Sequence, residues 1–501
     1  MAAIEPTREK DFPEWYQQIL KAAEMAENSD VRGCMVIKPW GYGIWENMQR
    51  YLDKEIKATG HENAYFPLFI PLSFLQKEAK HVAGFAKECA VVTHHRLEEK
   101  EGKLVPTGEL EEPLIVRPTS ETIIGECFAR WVKSYRDLPL LINQWANVVR
   151  WEMRPRIFLR TTEFLWQEGH TVHSSAEEAK REAQTMHAVY RRFMEEVLAI
   201  PVMVGEKSPG ERFPGAENTY TLEAMTQDRK ALQMGTSHYL GQNFAKASGI
   251  RFSNPQGQLE YGYTTSWGVS TRMIGGLIMC HADDDGLRLP PRIATKHVVI
   301  LPVATQGDQQ DEVFAYAEAL AAELRSTFFH EEPLKIVVDK RDLRGGDKNW
   351  EWIKKGIPVR IEVGPRDLAS HSVMLCRRDK PHKEKLKVES SRLPEEVVKI
   401  LGEIQKNYYE EALRFRDQAI SRELSTFEEL KQFFTSKNQE KPEIHGGFVL
   451  AKWCGDPETE SLLEGLKVTV RCLPTEQTHT TGRCILTGKP AVLDAVFAKS
   501  Y

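Results

Sequence analysis

Residues 148–170, VVRWEMRPRIFLRTTEFLWQEGH, mix four arginines, three glutamates and a histidine with tryptophan and phenylalanine. We interpret the stretch as two strands joined by the loop MRPRIFLR. Side chains alternate across a strand, so even-numbered residues of each strand share a face. They are Arg150 and Glu152 in the first strand, and Thr162, Phe164, Trp166, Glu168 and His170 in the second. A solvated antiparallel pair is the simpler alternative, but one row of aromatic and charged side chains is more typical of a half-buried ligand pocket.

The stretch LIVRPTSETIIGECFARW, residues 114–131, is predicted to be a strand that continues through Pro118 into a helix. Thr119 and Glu121 lie at the start of that helix. Because Ser or Thr followed by Glu is ordinary in the first turn of a helix, this stretch alone predicts no site.

A third stretch, YGYTTSWGVSTRMIGGLIM, has a single arginine, Arg272, near the start of an apolar helix. Its long side chain could reach solvent. A buried charge without a partner is costly, however, so an anionic ligand explains this arginine more simply. Between these stretches lie Gln233, Thr236 and His238. Such a polar cluster is more often structural than catalytic, and only its position between the other stretches makes it a candidate.

The composition is that of a globular protein, with 501 residues of which 41% are hydrophobic and 28% charged. No apolar run reaches the roughly 18 to 20 residues of a membrane helix, and the start, MAAIEPTREKDF, lacks the apolar segment of a signal peptide. The eight cysteines are scattered, which favours reduced thiols. We therefore expect a cytoplasmic protein that does not bind membranes. With a net charge of −5, any nucleic-acid binding must come from local basic patches.

Three composition regimes predict domains at residues 1–287, 288–394 and 395–501. In the first, residues 41–60 repeat apolar side chains at helical spacing, and residues 64–71 have the pattern of a strand. In the second, short buried strands alternate with helices, which predicts an α/β unit with a mainly parallel sheet. The third begins with a long charged helix.

Taken together, these stretches resemble the three motifs of class II aminoacyl-tRNA synthetases, and in detail the prolyl-tRNA synthetases of the archaeal and eukaryotic type. The segments RPTSET, RTTEFLWQEGH, SWGVSTR and GIPVRIEVGPRDL carry the resemblance, which covers essentially the whole chain. It implies an α/β protein with three parts: an α+β catalytic domain with an antiparallel sheet, an α/β anticodon-binding domain and a small α+β C-terminal domain. It also implies a homodimer, with an interface built from the helix that starts at Gly41 and the strand containing Pro67.

The implied activity is the ATP-dependent ligation of L-proline to tRNA(Pro) through a prolyl adenylate, with Mg²⁺ accompanying ATP. Arg150 and Arg272 would be catalytic, because the first step needs positioning and neutralisation of phosphate charge. Arg150 would bridge the proline carboxylate and the α-phosphate, and Arg272 would hold the γ-phosphate with the adenine between it and Phe164. The implied ATP-binding residues are Arg150, Glu152, Arg160, Phe164, Gln233, Thr236 and Arg272.

The resemblance also implies a proline pocket. Glu121 would meet the secondary ammonium group. Trp166, Phe213 and the face of His170 would form the apolar slot for the ring. The implied proline-binding residues are Thr119, Glu121, Arg150, Trp166, Glu168, His170, Phe213, His238 and Ser266.

The middle domain resembles the anticodon-binding domain of prolyl, threonyl, histidyl and glycyl synthetases, with VGPRDL as its marker. Candidates for reading the anticodon are Glu362, Arg366 and Asp367. The basic runs at 340–355 and 377–387 are candidates for contact with the tRNA backbone. Each basic run on its own is more simply interpreted as a solvated face.

Two departures from the family pattern carry predictions. Only about a hundred residues separate motif 2 from motif 3, so we expect no editing insertion. The C-terminal domain of this family often binds zinc through four cysteines, but here Thr459 and Thr487 accompany Cys454 and Cys484. Two thiolates are too few for a closed tetrahedral site, so no metal site is expected.

Two alternatives stay open. One is a class II synthetase for another amino acid, above all threonine. Threonyl enzymes hold an active-site zinc through a Cys and two His residues, and no such set surrounds motif 2. The other is a non-catalytic tRNA-binding relative, which should have lost an ATP-binding arginine, whereas Arg150 and Arg272 are both present.

Overall fold

The computed structural model describes residues 3–77, 88–303, 308–436, 438 and 444–501. Up to residue 287, helices surround a set of long strands. The helices are α1 (Phe12–Ala22), α2 (Pro39–Ala58), α3 (Leu72–Lys77), α4 (Glu121–Trp131), α5 (Ala176–Arg192), α6 (Asn243–Ser248) and α7 (Arg272–His281). The strands are β1 (Ala26–Asn28), β2 (Met35–Ile37), β3 (Glu62–Asn63), β4 (Phe69–Pro71), β5 (Val91–Lys100), β6 (Lys103–Val116), β7 (Leu140–Val149), β8 (Glu163–His173), β9 (Val202–Glu206), β10 (Asn218–Met225), β11 (Ala231–Gly241), β12 (Arg251–Ser253), β13 (Leu259–Tyr261) and β14 (Tyr263–Ser270).

The long strands pair in the order β9-β10-β11-β14-β8-β7-β3. Neighbours are antiparallel except β3, which is parallel to β7. This confirms the expected antiparallel sheet, and β7 and β8 are the two strands predicted from the first stretch. However, β7 ends at Val149, so the prediction that Arg150 and Glu152 alternate along a strand is wrong. Both lie in the connecting loop, which contains Pro155, a residue with no backbone N–H for a ladder.

The region that resembles motif 1 begins with α2. The apolar side chains at helical spacing within residues 41–60 are buried, which confirms the predicted helix; they are Ile44, Met48, Leu52 and Ile56. The strand predicted at 64–71 is shorter, since only the segment from Phe69 pairs, with β6. Pro67 precedes this strand and is not part of it, in keeping with its missing N–H.

Helix α5 covers one face of the sheet, and the other face is left for a cavity. Along β11, Ser237 donates a hydrogen bond to the carbonyl of Ala183 on α5 at 2.7 Å, and Tyr239 packs beside it. Thr236 and His238 alternate with these residues and therefore point to the opposite face. The segment between motif 2 and motif 3 thus supplies three strands of the sheet, β9, β10 and β11, and its covering helix.

The middle part, from residue 288 to 392, contains a second sheet of five strands together with three helices. Its elements are β15 (Val298–Pro302), α8 (Asp308–Arg325), β16 (Phe328–Phe329), β17 (Glu332–Pro333), β18 (Ile336–Val338), α9 (Gly345–Lys354), β19 (Val359–Val363), α10 (Pro365–Ala369), β20 (Ser372–Arg377) and β21 (Leu386–Glu389). The order is β18-β15-β19-β20-β21. Strands β15, β18 and β19 are parallel, whereas β20 and β21 extend the sheet antiparallel. The predicted mainly parallel sheet is therefore parallel in only two of its four pairings.

The C-terminal part begins with a long helix that packs on the middle sheet through Leu393, Val397 and Ile400. Its elements are α11 (Leu393–Gln418), β22 (Ile420–Ser421), α12 (Phe427–Phe434), β23 (Phe448–Trp453), β24 (Val468–Pro474), β25 (Gly482–Arg483), β26 (Pro490–Ala491) and β27 (Leu493–Lys499). The strands β22-β23-β27-β24 continue the first sheet, because β24 pairs antiparallel with β9 at Leu473 and Pro474. Across the described ranges, no helix combines the length and apolar character needed to cross a membrane.

Candidate active site

A cavity of about 380 Å³ opens on the face of the sheet opposite α5. Ligand pockets commonly have volumes of about 300 to 1,000 Å³. Most of the sequence-predicted site residues line this one cavity. They are Thr119, Glu121, Arg150, Phe164, Trp166, Glu168, His170, Phe213, Gln233, Thr236, His238, Ser266 and Arg272. The even-numbered row of β8 therefore does share a face, as predicted.

Glu168 and His170 form a buried pair on the floor of the cavity. Nε2 of His170 lies 2.9 Å from Oε2 of Glu168. Oε1 of Glu168 accepts hydrogen bonds from Ser120 at 2.5 Å and from Gln144 at 2.8 Å. Burial opposes the charge of Glu168, but the hydrogen bonds outweigh it and lower the pKa of this carboxyl. Burial likewise opposes the charge of His170, yet Glu168 raises its pKa.

Ser120 and Gln144 were missed by the sequence interpretation. Ser120 precedes α4, but its side chain makes no capping hydrogen bond to that helix. It donates instead to Glu168, far away in the sequence. The ordinary helix-start interpretation is therefore wrong for Ser120. The signal of its role is visible in the structure alone: serine commonly caps helices, but the side chain of Ser120 makes no capping hydrogen bond.

A second buried histidine, His238, lies two strands away from His170. Its Nδ1 is 3.0 Å from Oγ1 of Thr219, and its Nε2 is 3.2 Å from Oγ1 of Thr236. Its ring stacks on Phe213 with centroids 4.6 Å apart. Burial, with the nearby charge of His170, lowers the pKa of His238 to about 3. His238 is therefore neutral at physiological pH.

Ser266 pairs with His170 on one side and with His238 on the other, so the three side chains form a row across adjacent strands. The buried hydroxyl of Ser266 finds no hydrogen-bond partner among the described residues, and neither does the indole N–H of Trp166. Buried polar atoms are rarely left unpaired in proteins. These two groups, on the cavity wall, are therefore suited to a polar ligand.

The two predicted catalytic arginines lie in the same cavity. Nε of Arg150 donates to the carbonyl of Pro118 at 2.9 Å, and its guanidinium lies 5.5 Å from the ring centroids of both Phe164 and Trp166. Burial lowers the pKa of Arg150, and Glu121 acts in the opposite direction. Phe164 and Trp166 therefore present an aromatic wall beside a cation.

Arg272 begins α7, and its Nε donates to the carbonyl of Leu159 at 3.2 Å. In the part of the chain that the structure describes, no carboxylate lies within ion-pair distance of Arg272. Burial lowers its pKa to about 10, and the charges of Arg150 and Arg160 act in the same direction. Two cations on one cavity wall favour an anion with several charges.

Of the predicted ATP- and proline-binding residues, Glu152 and Arg160 do not line the cavity. They pair with each other on the motif 2 loop, with Nε of Arg160 2.5 Å from Oε2 of Glu152. Arg160 is largely exposed, with 65% of its side-chain surface accessible. The loop thus holds both residues outside the cavity.

A close approach between Gly169 and Trp267 fixes the register of β8 and β14. These residues are directly opposite each other, and a Cβ added to Gly169 would lie 2.0 Å from Cζ2 of Trp267. Both residues were within the quoted motifs, but their contact was not predicted. Glu211 and Arg212 also line the cavity and were missed, because they lie at the end of a short 3₁₀ turn that carries no motif.

The candidate anticodon residues Glu362, Arg366 and Asp367 line a separate cavity of about 330 Å³ in the middle part. Glu362 pairs with Lys385 at 2.5 Å. The Asp367 carboxylate accepts from the backbone N–H of Gly364 at 2.9 Å, so it caps α10.

The basic run at 377–387 is only partly available to tRNA. Arg378 is buried in a two-pronged ion pair with Asp283, at 2.5 and 2.8 Å. Arg377 pairs with Asp379 at 2.8 Å. Arg378 holds the middle part against the first, whereas Arg377 is engaged by Asp379 and by Glu403 of α11. The lysines that follow them in the run lie at the surface. The charge count of the run therefore overstates the patch that tRNA could contact.

The expected remnant of a zinc site lies in the C-terminal part. The Thr459 hydroxyl accepts from Nε1 of Trp453 at 2.9 Å and donates to the carbonyl of Asp456 at 2.6 Å. Burial raises the pKa of Cys472 to about 12, so this thiol stays protonated. Among the described residues, no group of three or more His, Cys, Asp or Glu side chains is placed to hold a metal ion.

Family profiles match three separate parts of the chain. Residues 105–281 match the family described as tRNA synthetase class II core domain (G, H, P, S and T). Residues 297–400 match the Anticodon binding domain, and residues 439–501 match the family Prolyl-tRNA synthetase, C-terminal. Together with an antiparallel sheet that carries a two-arginine cavity, these matches define a class II aminoacyl-tRNA synthetase.

Relatives of full length narrow this class. The chain is 71% identical, over 499 residues, to the proline–tRNA ligase of Protochlamydia amoebophila, covering 100% of this chain and 98% of the relative. It is 58% identical over 504 residues to proline–tRNA ligase 2 of Anaeromyxobacter dehalogenans, covering 100% and 98%. It is 55% identical over 500 residues to the proline–tRNA ligase of Bdellovibrio bacteriovorus, covering 100% and 99%. The chain belongs to the proline–tRNA ligases, enzymes that charge tRNA with proline.

This assignment sets aside the two alternatives of a threonine enzyme and a non-catalytic relative. ATP, proline and tRNA are the substrates of the enzyme. The relatives are bacterial, so they do not support the archaeal and eukaryotic type that the sequence motifs indicated.

Proposed function

We propose that the cavity binds ATP and proline side by side and forms prolyl adenylate. The observation that carries this proposal is the presence of Arg150 and Arg272 on one cavity wall. Arg150 bridges the proline carboxylate and the α-phosphate, and Arg272 binds the γ-phosphate. The adenine stacks between Phe164 and Arg272. Rate enhancement then comes from alignment of the carboxylate with the α-phosphorus and from neutralisation of phosphate charge.

Gln233 and Thr236 contact the ribose and phosphate region from β11. Glu152 and Arg160 bind ATP after their ion pair with each other opens. Glu152 then accepts a hydrogen bond from the adenine amino group, and Arg160 binds a phosphate. Their present ion pair is exposed, and such pairs are worth only about 0 to 1 kcal/mol. Exchange of this pair for contacts with ATP is therefore energetically cheap.

Proline occupies the end of the cavity near Glu168. Glu121, whose carboxylate accepts a hydrogen bond from Thr119, binds the secondary ammonium group. The ring fits the apolar slot formed by Trp166, Phe213 and the face of His170. The unpaired Ser266 hydroxyl and the neutral His238 ring complete the polar wall of this slot.

Magnesium enters with ATP, as it commonly does in phosphoryl chemistry. Two carboxylates of the cavity are already engaged, Glu168 by three donors and Glu121 by Thr119. Glu211 also lines the cavity. This donor set fits an ion carried by the phosphates, with at most one protein carboxylate, and does not fit a resident protein cage. When bound, the ion supplies charge neutralisation at the phosphates.

In the middle part, Glu362, Arg366 and Asp367 face the anticodon of tRNA(Pro). Their common cavity, with the exposed Val303 at its edge, supports this role. The chain forms a homodimer in the cytoplasm, as the motif 1 resemblance implies. Exposed apolar side chains on the β4-β6-β5 sheet, Phe69, Leu97 and Leu104, are consistent with burial by a second copy. Sedimentation at micromolar protein would show a dimer.

Three domains, 1–287, 288–394 and 395–501, carry these tasks, with α11 shared by the second and third. The archaeal and eukaryotic type is here an arrangement of domains, in which a C-terminal domain is present and an editing insertion is absent. It does not indicate the organism. The C-terminal domain holds no zinc, because its thiols are too few.

A crystal structure with a non-hydrolysable prolyl-adenylate mimic tests the placement of the ligands. We expect the phosphate of the mimic at Arg150 and its prolyl ring beside Trp166. The mimic bound elsewhere, with both arginines turned into solvent, would show that this cavity is not the site.

A further inference from the structure

A buried triad of charges joins the catalytic sheet to the C-terminal part. Nζ of Lys207 lies 2.7 Å from Oε1 of Glu223 on β10, and Nη2 of Arg471 on β24 lies 2.9 Å from Oε2 of the same carboxylate. Nζ of Lys207 also donates to the carbonyl of Arg471 at 2.9 Å. The side chain of Glu223 is 0% exposed and that of Arg471 is 8% exposed. Burial opposes charge on Glu223, but the two cations lower its pKa.

Glu223 lies directly opposite Gln233 of β11, and Gln233 lines the active-site cavity. Opposite residues of an antiparallel pair point to the same face. The β10–β11 register shifts at this point: Leu222 pairs with Gly235 and Glu223 with Gln233, which leaves Met234 as the extra residue of a bulge. Bulges near active sites re-aim side chains, so the position of Glu223 bears directly on that of Gln233.

The triad also acts on Arg272 through its charges. Besides burial, the charge of Glu223 raises the pKa of Arg272 and the charge of Arg471 lowers it. The effect of Glu223 is the larger of the two, so the carboxylate of the triad favours the charged form of Arg272. A buried charge has a stronger field than a solvated one, because the medium around it screens weakly.

We propose that Arg471 is a positioning residue for ATP: through Glu223 it holds the β10–β11 hairpin that presents Gln233 and Thr236 to the nucleotide. The inference rests on the proposed placement of ATP in this cavity. It gives the C-terminal part an indirect role in the first reaction step, although none of the described residues of that part lines the cavity.

The test is Arg471→Met in the full chain, assayed by proline-dependent exchange of pyrophosphate into ATP. Lys207 and Glu223 remain paired in this variant, so the buried carboxylate keeps a partner. We expect the KM for ATP to rise about threefold or more while the KM for proline stays within about twofold, since coupling through a packed network changes binding by about 0.5–2 kcal/mol, or 2- to 30-fold. Arg471→Lys keeps the charge but loses the planar guanidinium with its paired donors. Its KM for ATP should lie between those of wild type and Arg471→Met.

Lys452→Met is the matched control. Lys452 pairs with Asp494 at 2.8 Å in the same C-terminal sheet, on β23, which is separated from β24 by β27. We expect this variant to leave both KM values unchanged. A KM for ATP that is unchanged in Arg471→Met, or one that rises together with the KM for proline, overturns the inference. If Arg471→Met does not fold by circular dichroism, Arg471→Lys is assayed with the same criteria.

Arg272→Ala separates this inference from the proposed function. An unchanged KM for ATP in Arg272→Ala would show that the nucleotide is misplaced. A raised KM for ATP in Arg272→Ala with an unchanged value in Arg471→Met would overturn the role of Arg471 alone.

Discussion

His170 and Glu168 are two residues apart on one strand, and Nε2 of the first lies 2.9 Å from Oε2 of the second in the floor of the active site. Burial on its own would lower the pKa of a histidine and raise that of a carboxyl group. Their contact has the opposite result: the pKa of His170 is raised above 6.5 and that of Glu168 is lowered below 4.5. The contact therefore favours the charged form of both groups on the floor of the cavity.

This pair predicts a pH window for stability. The raised pKa of His170 adds stability that is complete below 6.5 and is lost as the pH rises through the folded value. The lowered pKa of Glu168 adds stability that is present above 4.5 and is lost as the pH falls through its folded value. In Glu168→Gln the histidine keeps its burial but loses the charge of its partner, so its pKa should fall below 6.5. Titration of the ¹³C-labelled histidine rings by NMR measures it.

Glu163→Gln is the control for this titration, because Glu163 is exposed at the start of the same strand. It should leave the pKa of His170 unchanged. A His170 pKa that stays above 6.5 in Glu168→Gln would mean that another group holds the charge.

Replacement of Arg150 by alanine should remove at least ~2.7 kcal/mol of transition-state stabilisation, about a hundredfold in rate. The physical reason is the loss of the donor pair that aligns carboxylate and α-phosphate. The rate of proline-dependent pyrophosphate exchange measures it. Arg154→Ala, in the exposed part of the same loop, should stay within about threefold of wild type. If Arg150→Ala were as active as this control, Arg150 would have no role in catalysis.

Gly169→Ala should destabilise the catalytic sheet. The added Cβ would lie 2.0 Å from the Trp267 ring, which cannot retreat because it is buried. Overpacking of this kind costs about 1–3 kcal/mol, and it would appear as a lower midpoint of thermal unfolding. Gly402→Ala is the control, since a Cβ there meets no atom within 4 Å and alanine favours a helix by about 0.5–1 kcal/mol. Equal midpoints of thermal unfolding for the two variants would contradict the close approach of Gly169 to Trp267.

Purified enzyme should contain almost no zinc, because the zinc positions of the family hold only the thiols of Cys454 and Cys484. Replacement of both Thr459 and Thr487 by cysteine should create a site for about one zinc per chain, since four thiolates complete a tetrahedral set. Metal analysis by mass spectrometry measures both proteins. One tightly held zinc per wild-type chain would refute the prediction.

The site residues on β8 could be predicted from the sequence because alternation along a strand is a local property. Phe164, Trp166, Glu168 and His170 therefore fall on one face in the sequence and in the fold. Ser120 could not be predicted, because its local pattern favours a helix cap while its hydroxyl bonds to Glu168, 48 positions away. The end of β7 was misjudged for a related reason, since the loop after Val149 is shaped by contacts outside the strand.

The sequence by itself determined the family, the antiparallel pair of strands and the row of β8 side chains that line the cavity. The family follows from the resemblance of its motifs, whereas the row of side chains follows from residue spacing, because successive side chains of a strand point to opposite faces. Only the tertiary structure decided that β24 pairs with β9, and that Lys207, Glu223 and Arg471 meet in one buried triad. The physical reason is that such partners are chosen by the packing of distant segments. The sequence around a charged residue does not indicate which distant charge will be buried beside it.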